Sequence, residues 1–334
     1  MKVVVVTTSY PSPEHPVAGN FVAAAVDGAR ALGVDVTVVS PKDFHHFGIA
    51  YGSGIAQNLR ASAWRAALLP AFVLAYARKA RAAARDADLV HAHWLPSALA
   101  ARATRKPYVL QLWGTDVALA RRAPILARPL VRGAEAVIVA SEFLRKEAVA
   151  LGARRVAIVQ PGFRIPAQVG EPDDPPHVLF AGRLSPEKGI VEFLEASDGV
   201  HRVIVGDGPL RPSVPEAVGF VPPDEVGSFY ARAAVVCAPS RREGFGFGPR
   251  EAMAYGRPVV ATRVGGLADL GPGSVLVPPR DGAALREAIV SLLADVDRRR
   301  ELGREARSNA VPLAASAEHL IDAYRSALTG GQPT

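Results

Sequence analysis

A chain of 334 residues, with 49% hydrophobic residues, 28 prolines and 30 glycines, is long enough for two globular α/β domains, each with its own core. Its one cysteine, Cys237, excludes an internal disulfide, and its longest apolar run, residues 66–77, is interrupted by Pro70 and too short to span a bilayer. The formal charge of +7 is unevenly placed: residues 1–170 hold 21 Lys+Arg against 10 Asp+Glu, and residues 171–334 hold 18 against 22.

The basic first half suits an anionic partner, although codon bias explains it equally, because only six of the 39 basic residues are lysine. The opening apolar stretch is too short for a signal peptide, and Cys237 lies in an apolar run that reads as core. Both features point to a cytoplasmic protein in a reducing compartment.

Along the chain, the four valines of residues 3–6 predict a strand buried on both faces of a parallel sheet. A loop with three prolines runs to Gly19, followed by a helix capped by Asn20 and ended by Gly33, and by a second strand over residues 36–39. Residues 45–54 are expected to form an exposed loop. Residues 56–85 read as helical with a break near Pro70, and Trp64, Leu68, Phe72 and Tyr76 recur every fourth residue among arginines. Such a stripe fits an outer helix packed on the sheet or a helix lying on a membrane surface. Strands over residues 89–93 and 108–112 end at His93 and at Trp113-Gly114-Thr115-Asp116, where open parallel sheets bind ligands. His91 and His93 are expected on opposite strand faces, unable to chelate one metal. Strands over residues 137–139 and 156–159 complete the first sheet.

Residues 166–176, dense in proline and charge, read as a linker. The alternation then restarts, with strands over residues 178–181, 202–205, 218–221, 235–238 and 258–262 and helices over residues 190–197, 224–233, 282–294 and 315–328. The expected organisation is a first domain over residues 1–165, joined by a returning helix at about residues 313–330, a linker over 166–176, and a second domain over 177–312. The fold class is α/β, two Rossmann-like domains facing each other across a cleft. Residues 206–211 (Gly-Asp-Gly-Pro-Leu-Arg) begin like a dinucleotide fingerprint, but Arg211 in the sixth position and the missing acidic partner argue against a nicotinamide cofactor.

Two stretches carry chemistry. In Gly182-Arg183-Leu184-Ser185-Pro186-Glu187-Lys188-Gly189, Arg183 and Lys188 share one loop at a strand's carboxyl end, and Lys188 is the only lysine in residues 147–334. Arginine offers a planar fork for phosphate oxygens and lysine a compact point charge. The second stretch, residues 243–256, places a glycine-rich turn before a helix expected to start at Pro249. Bare backbone N–H groups and a helix start suit phosphate, while Glu243 and Glu251 suit sugar hydroxyls. Taken alone, this stretch also fits an ordinary loop–helix junction.

These motifs, with Gly206-Asp207-Gly208-Pro209, Pro239-Ser240, Pro258-Val259-Val260-Ala261-Thr262 and Gly265-Gly266, closely resemble those of the retaining glycosyltransferases of family 4, which have the GT-B fold. The first half matches more weakly, through Gly19-Asn20-Phe21-Val22, His91-Ala92-His93 and Gly114-Thr115-Asp116. The resemblance implies a hexosyl unit moved from a UDP- or GDP-sugar, with no cofactor and no metal, since no Asp-any-Asp cluster points to one. It implies Arg183, Lys188 and Glu243 as catalytic residues, the first two on the diphosphate and the third on the sugar. Gly19, Gly208, Val221, Phe245, Gly246, Phe247, Gly248 and Glu251 would hold the donor, with Val221 along the base and Glu251 on the ribose. His93, Trp113 and Asp116 fall on the acceptor or sugar side. Trp113 departs from the family pattern, which has histidine there, and cannot exchange a proton. The implied partners are the donor and a lipid-linked or polysaccharide acceptor of the cell envelope, with peripheral contact between the basic first half and the anionic inner membrane face. Nucleic acid is not expected. A nucleotide-sugar epimerase or hydrolase of the same fold, or a non-catalytic nucleotide-sugar-binding protein, is the alternative.

Overall fold

A computed structural model describes residues 1–51 and 54–331, and the chain divides into two units. The first comprises Met1–Pro161 and the chain from Leu313 onward; the second is Gly162–Pro312.

The first unit is built on six parallel strands, β1 (Lys2–Val6), β2 (Asp35–Val39), β3 (Leu89–His93), β4 (Tyr108–Leu112), β5 (Ala136–Val139) and β6 (Val156–Ile158), in the order β2-β1-β3-β4-β5-β6. The order reverses between β1 and β3, so the carboxyl ends of those strands flank a crevice of the kind that receives ligands. Val3, Val4, Val5 and Val6 are all buried, which is why this strand reads as a continuous β-branched run rather than an alternation. The final helix, Leu313–Thr329, places Leu320, Ile321 and Tyr324 in the same core as Val3, Val5 and Leu89.

Three readings of this half need correction. The first helix, Asn20–Ala31, is capped by Gly19 in the left-handed conformation (φ 65°) and not by the Asn20 side chain. The region of residues 56–85 is three helices, Ile55–Ala61, Ala63–Ala67 and Leu69–Ala83; Pro70 lies in the first turn of the third, where its missing N–H costs nothing, and the breaks fall at Ser62 and Leu68. Phe72 and Tyr76 are buried and Trp64 is exposed, so the outer-helix reading holds for the third helix. In the loop of residues 45–54, Ile49, Ala50 and Tyr51 are buried rather than exposed, while Gly52 and Ser53 lie outside the described residues.

The second unit carries five parallel strands, β7 (Val178–Ala181), β8 (Arg202–Val205), β9 (Val235–Ala238), β10 (Val259–Thr262) and β11 (Ser274–Val277), in the order β11-β10-β9-β7-β8. Its reversal point lies at β7, between β8 and β9. Residues 218–221 are not a strand: apart from one bridge between Gly206 and Gly219, this stretch is irregular. Residues 166–176 are irregular too, but they lie along the second unit. Arg307 Nη2 donates to the Pro166 carbonyl, Arg257 Nη2 to the Gly170 carbonyl at 2.5 Å, and Arg232 Nε to both oxygens of Asp173. No helix among the described residues is long and apolar enough to cross a membrane.

Candidate active site

In the second unit, the carboxyl ends of β7, β8 and β9 open onto a cavity of about 470 Å³. Two loops bring its charges together. The first leaves β7 through Gly182 and Arg183, passes a short turn at Pro186–Lys188, and enters the helix Ile190–Ala196 through Gly189. Gly189 has φ 72°, and a Cβ there would lie 1.9 Å from the Pro239 carbonyl oxygen. Only glycine lets this loop close against the end of β9. The second loop is the glycine-rich turn after β9. It leads into the helix Phe247–Ala254, which starts two residues earlier than expected and puts Pro249 third. Gly246 caps it in the left-handed conformation. Gly265, after β10, passes so close that a Cβ would meet the Glu243 carbonyl oxygen at 1.9 Å. The Gly266 N–H donates to that same carbonyl at 3.0 Å.

The outcome is a direct pairing. Lys188 Nζ donates to Glu243 Oε2 at 2.5 Å, and the Gly244 N–H donates to Glu243 Oε1 at 3.1 Å. The two residues expected to meet different parts of one ligand therefore meet each other, 55 residues apart in sequence. Arg183 is exposed at the rim. Glu251 faces the same cavity from the helix, and burial raises its carboxyl pKa, with the Tyr230 hydroxyl partly offsetting the shift. Burial also pushes the Cys237 thiol up, so this residue stays protonated on the cavity wall.

Of the donor-side residues read from the sequence, Arg183, Lys188, Val221, Glu243, Phe247, Gly248 and Glu251 line this cavity. Gly208, Phe245 and Gly246 do not. Phe245 is 2% exposed and forms the floor under the turn, and the Gly208 N–H is held by Asp207 Oδ1 at 2.7 Å behind the rim. Sequence reasoning missed Arg250. Its guanidinium is 7% exposed, lies 4.4 Å from the Phe245 ring centroid, and donates to the backbone carbonyls of Phe245, Gly266 and Asp269. It ties the glycine turn to the loop after β10; burial lowers its pKa to about 10, so it remains a cation at neutral pH. Phe220, 62% exposed beside Val221, was also missed as part of the wall.

The remaining residues lie in the first unit at the carboxyl ends of β1, β3 and β4. His91 and His93 share one face, with ring centroids 4.1 Å apart, because positions two apart along a strand project alike; the opposite-face expectation was wrong. His93 is 1% exposed, and burial holds its pKa well below the usual value, so it is a neutral ring. Its Nδ1 accepts from Trp113 Nε1 at 3.3 Å. Trp113 also contacts Phe21, two residues past Gly19, edge-on with centroids 4.6 Å apart. Asp116 is 4% exposed, and one oxygen accepts the N–H groups of Trp113, Gly114 and Val117 at 2.9–3.0 Å. Its visible work is to hold the Trp113–Gly114 turn.

The chain does contain two Asp-any-Asp runs, contrary to the sequence reading. Asp88 accepts the Lys2 N–H and Asp295 accepts the Arg298 N–H, and neither lies on the cavity. Among the described residues no group of three or more His, Cys, Asp and Glu side chains could hold a metal ion.

Residues 18–165 match the family model described as Glycosyltransferase Family 4, and residues 175–295 match Glycosyl transferases group 1. The chain is 29% identical to the putative teichuronic acid biosynthesis glycosyltransferase TuaC of Bacillus subtilis, over 86% of this chain and 88% of that one. It is 36% identical to the D-inositol 3-phosphate glycosyltransferase of Acidothermus cellulolyticus, over 52% of this chain and 46% of that one. Among solved structures, the sucrose-phosphate synthase of Thermosynechococcus elongatus superposes with a TM-score of 0.80 at 20% identity, covering 99% of this chain and 100% of that one. Anabaena Alr3699/HepE in complex with UDP-glucose superposes at 0.74 with 20% identity, covering 97% and 99%. At these identities the likeness is one of fold.

Proposed function

The chain belongs to the group 1 glycosyl transferases of glycosyltransferase family 4, and from that premise we propose that it moves a hexosyl unit from a UDP- or GDP-sugar to an acceptor with retention of anomeric configuration. The observation that carries this reading is the convergence of Arg183, Lys188, Glu243 and Glu251 on one cavity. A nucleoside diphosphate sugar asks for that combination: cations for the diphosphate, carboxylates for the ribose and hexose hydroxyls. The HepE complexes with UDP and UDP-glucose, folds of the same kind, favour a uridine donor.

In the proposed mechanism the bond between the sugar's anomeric carbon and the β-phosphate oxygen breaks, and its electron pair stays on the phosphate. Lys188 and Arg183 neutralise the departing diphosphate, and the helix start at Phe247 adds its positive end. Glu243 holds the Lys188 ammonium in place and turns towards sugar hydroxyls as the ammonium moves to phosphate. Glu251 accepts from the ribose, with Val221 and Phe220 along the base. An acceptor hydroxyl attacks on the face the diphosphate leaves and passes its proton to the leaving phosphate oxygen. Gly19 is assigned to the donor and His93 and Trp113 to the sugar and acceptor side, with Asp116 fixing the Trp113 turn. The acceptor is a lipid-linked or polysaccharide component of the cell envelope, a reading supported by the name of the TuaC relative and by the basic first half.

The test is proton NMR of donor and product with EDTA present. The reading expects release of nucleoside diphosphate and a product with the donor's anomeric configuration. Inverted product, hydrolysis alone, or strict dependence on added metal would overturn it.

A further inference from the structure

One layer of the first unit concentrates the molecule's basic charge. The helices Leu69–Ala83, Leu95–Ala103 and Pro124–Arg132 lie side by side, with Leu95–Ala103 in the middle. Residues 55–132, which include them, hold thirteen Lys and Arg against three Asp. Two of those acids are already engaged: Asp116 is buried, and Asp88 accepts the Lys2 N–H. At the start of the third helix, Ile125 is 85% exposed and Leu126 74% exposed, the two most exposed large apolar side chains among the described residues. Leu119, 45% exposed, lies on the preceding helix, Thr115–Arg122. Arg122 and Arg128 flank this apolar tip in sequence and are exposed, as is Arg132 at the far end of the helix; Arg121 pairs with Glu147.

We infer that this tip is where the protein docks on an anionic phospholipid bilayer, with Ile125 and Leu126 entering the acyl boundary and the flanking arginines meeting lipid phosphates. The charge selects an anionic partner, and the exposed apolar pair selects one with a hydrocarbon interior. A soluble polyanion would reward the arginines but leave Ile125 and Leu126 in water. The position fits a lipid-linked acceptor. The helix whose carboxyl end leads into the tip begins beside the Trp113–Gly114 turn, so the tip and the assigned acceptor side are ends of one short segment. To that extent the inference rests on the transferase reading. It also moves the membrane contact away from residues 56–85, where the helical stripe first suggested it.

The experiment is sedimentation of the full chain with vesicles of phosphatidylglycerol and phosphatidylcholine, against vesicles of phosphatidylcholine alone, at low and high salt. Wild type should bind the anionic vesicles and be weakened by salt. The variant Ile125→Glu/Leu126→Glu should bind at least about tenfold less tightly, because both side chains lose their apolar burial. Arg122→Gln/Arg128→Gln should weaken binding and flatten its salt dependence, and Val290→Glu, an exposed apolar site in the second unit, should change nothing. Melting curves establish that each variant is folded. Absent binding at low salt, or unchanged binding by the Ile125/Leu126 variant, would overturn the inference. So would a dimer that this variant dissociates, or tighter binding to a soluble polyanion than to vesicles. Nucleotide-sugar binding measured on the same samples keeps the two readings apart: its loss with vesicle binding intact counts against the transferase assignment alone.

Discussion

Lys188 and Glu243 form a pair with side chains 37% and 16% exposed. A partly exposed ion pair of this kind contributes about 1 kcal/mol or less to stability, so Lys188→Ala and Glu243→Ala should fold normally. Each should lower turnover by about 10²–10³-fold, the scale seen when one donor that stabilises transition-state charge is removed. Steady-state rates beside melting temperatures check this. Glu251 gives a pH prediction. Its folded pKa is raised by burial, so the folded state favours the protonated carboxyl and this contribution to stability is lost as pH rises from the unfolded value of 4.5 through the folded one. Glu251→Gln should therefore be at least as stable as wild type at neutral pH. In the same window wild-type donor affinity should rise with pH, because ribose hydroxyls bond better to the carboxylate, and the variant should bind weakly with no such rise. Titration calorimetry across that range decides it. Lys188 could be picked out in the sequence because it is an isolated lysine in an arginine-rich half. Its bond to Glu243 could not, because nothing local links residues 55 positions apart.

The cavity depends on the glycine turn after β9, and Arg250 fastens that turn to the loop after β10. Three backbone carbonyls converge on its guanidinium, a geometry that suits a planar fork and not a single ammonium. Arg250→Lys should therefore cost about 1–3 kcal/mol, because a single ammonium leaves buried carbonyls without a donor, and lower donor affinity through the loosened turn. A stability change under about 1 kcal/mol in urea denaturation would contradict this role. Ten strands of the two sheets could be read from sequence because strands buried on both faces appear as unbroken apolar runs. The edge strand β11, Ser274–Val277, escaped notice because three of its four residues are only half-buried. Residues 218–221 misled for the opposite reason: Val218, Phe220 and Val221 are apolar but lie in an irregular stretch, where Phe220 and Val221 form a wall of the cavity. Helices such as Thr115–Arg122 and Pro124–Arg132 are too short to show a period, and Val296–Asn309 is too polar to show a stripe.

For the whole molecule, stability should depend on acid in a way set by the first unit. Burial pushes His91 down to about 3 and holds His93 well below its usual value, so the folded chain excludes protons that the unfolded chain accepts. The stability these neutral rings contribute is complete above pH 6.5 and is lost as pH falls towards their folded values, at about 1.4 kcal/mol per pH unit for each ring. His91→Gln should flatten that slope between pH 6.5 and 4 in denaturant titrations; an unchanged slope would place the acid sensitivity elsewhere. The fold, two parallel sheets each with a reversal point, could be read at this scale from the repeated α/β alternation. The proposed anionic partner could be read only as a charge imbalance, since the exposure of Ile125 and Leu126 is a tertiary fact. The central claim, that the second unit's cavity holds a nucleoside diphosphate sugar, is tested most directly by titration calorimetry of UDP, GDP and their hexose conjugates into wild type and Lys188→Ala. The account predicts saturable binding of one nucleotide series to wild type and a loss of at least about tenfold in the variant, a single charge-assisted contact to phosphate. No binding of either series, or equal binding by both proteins, would contradict it.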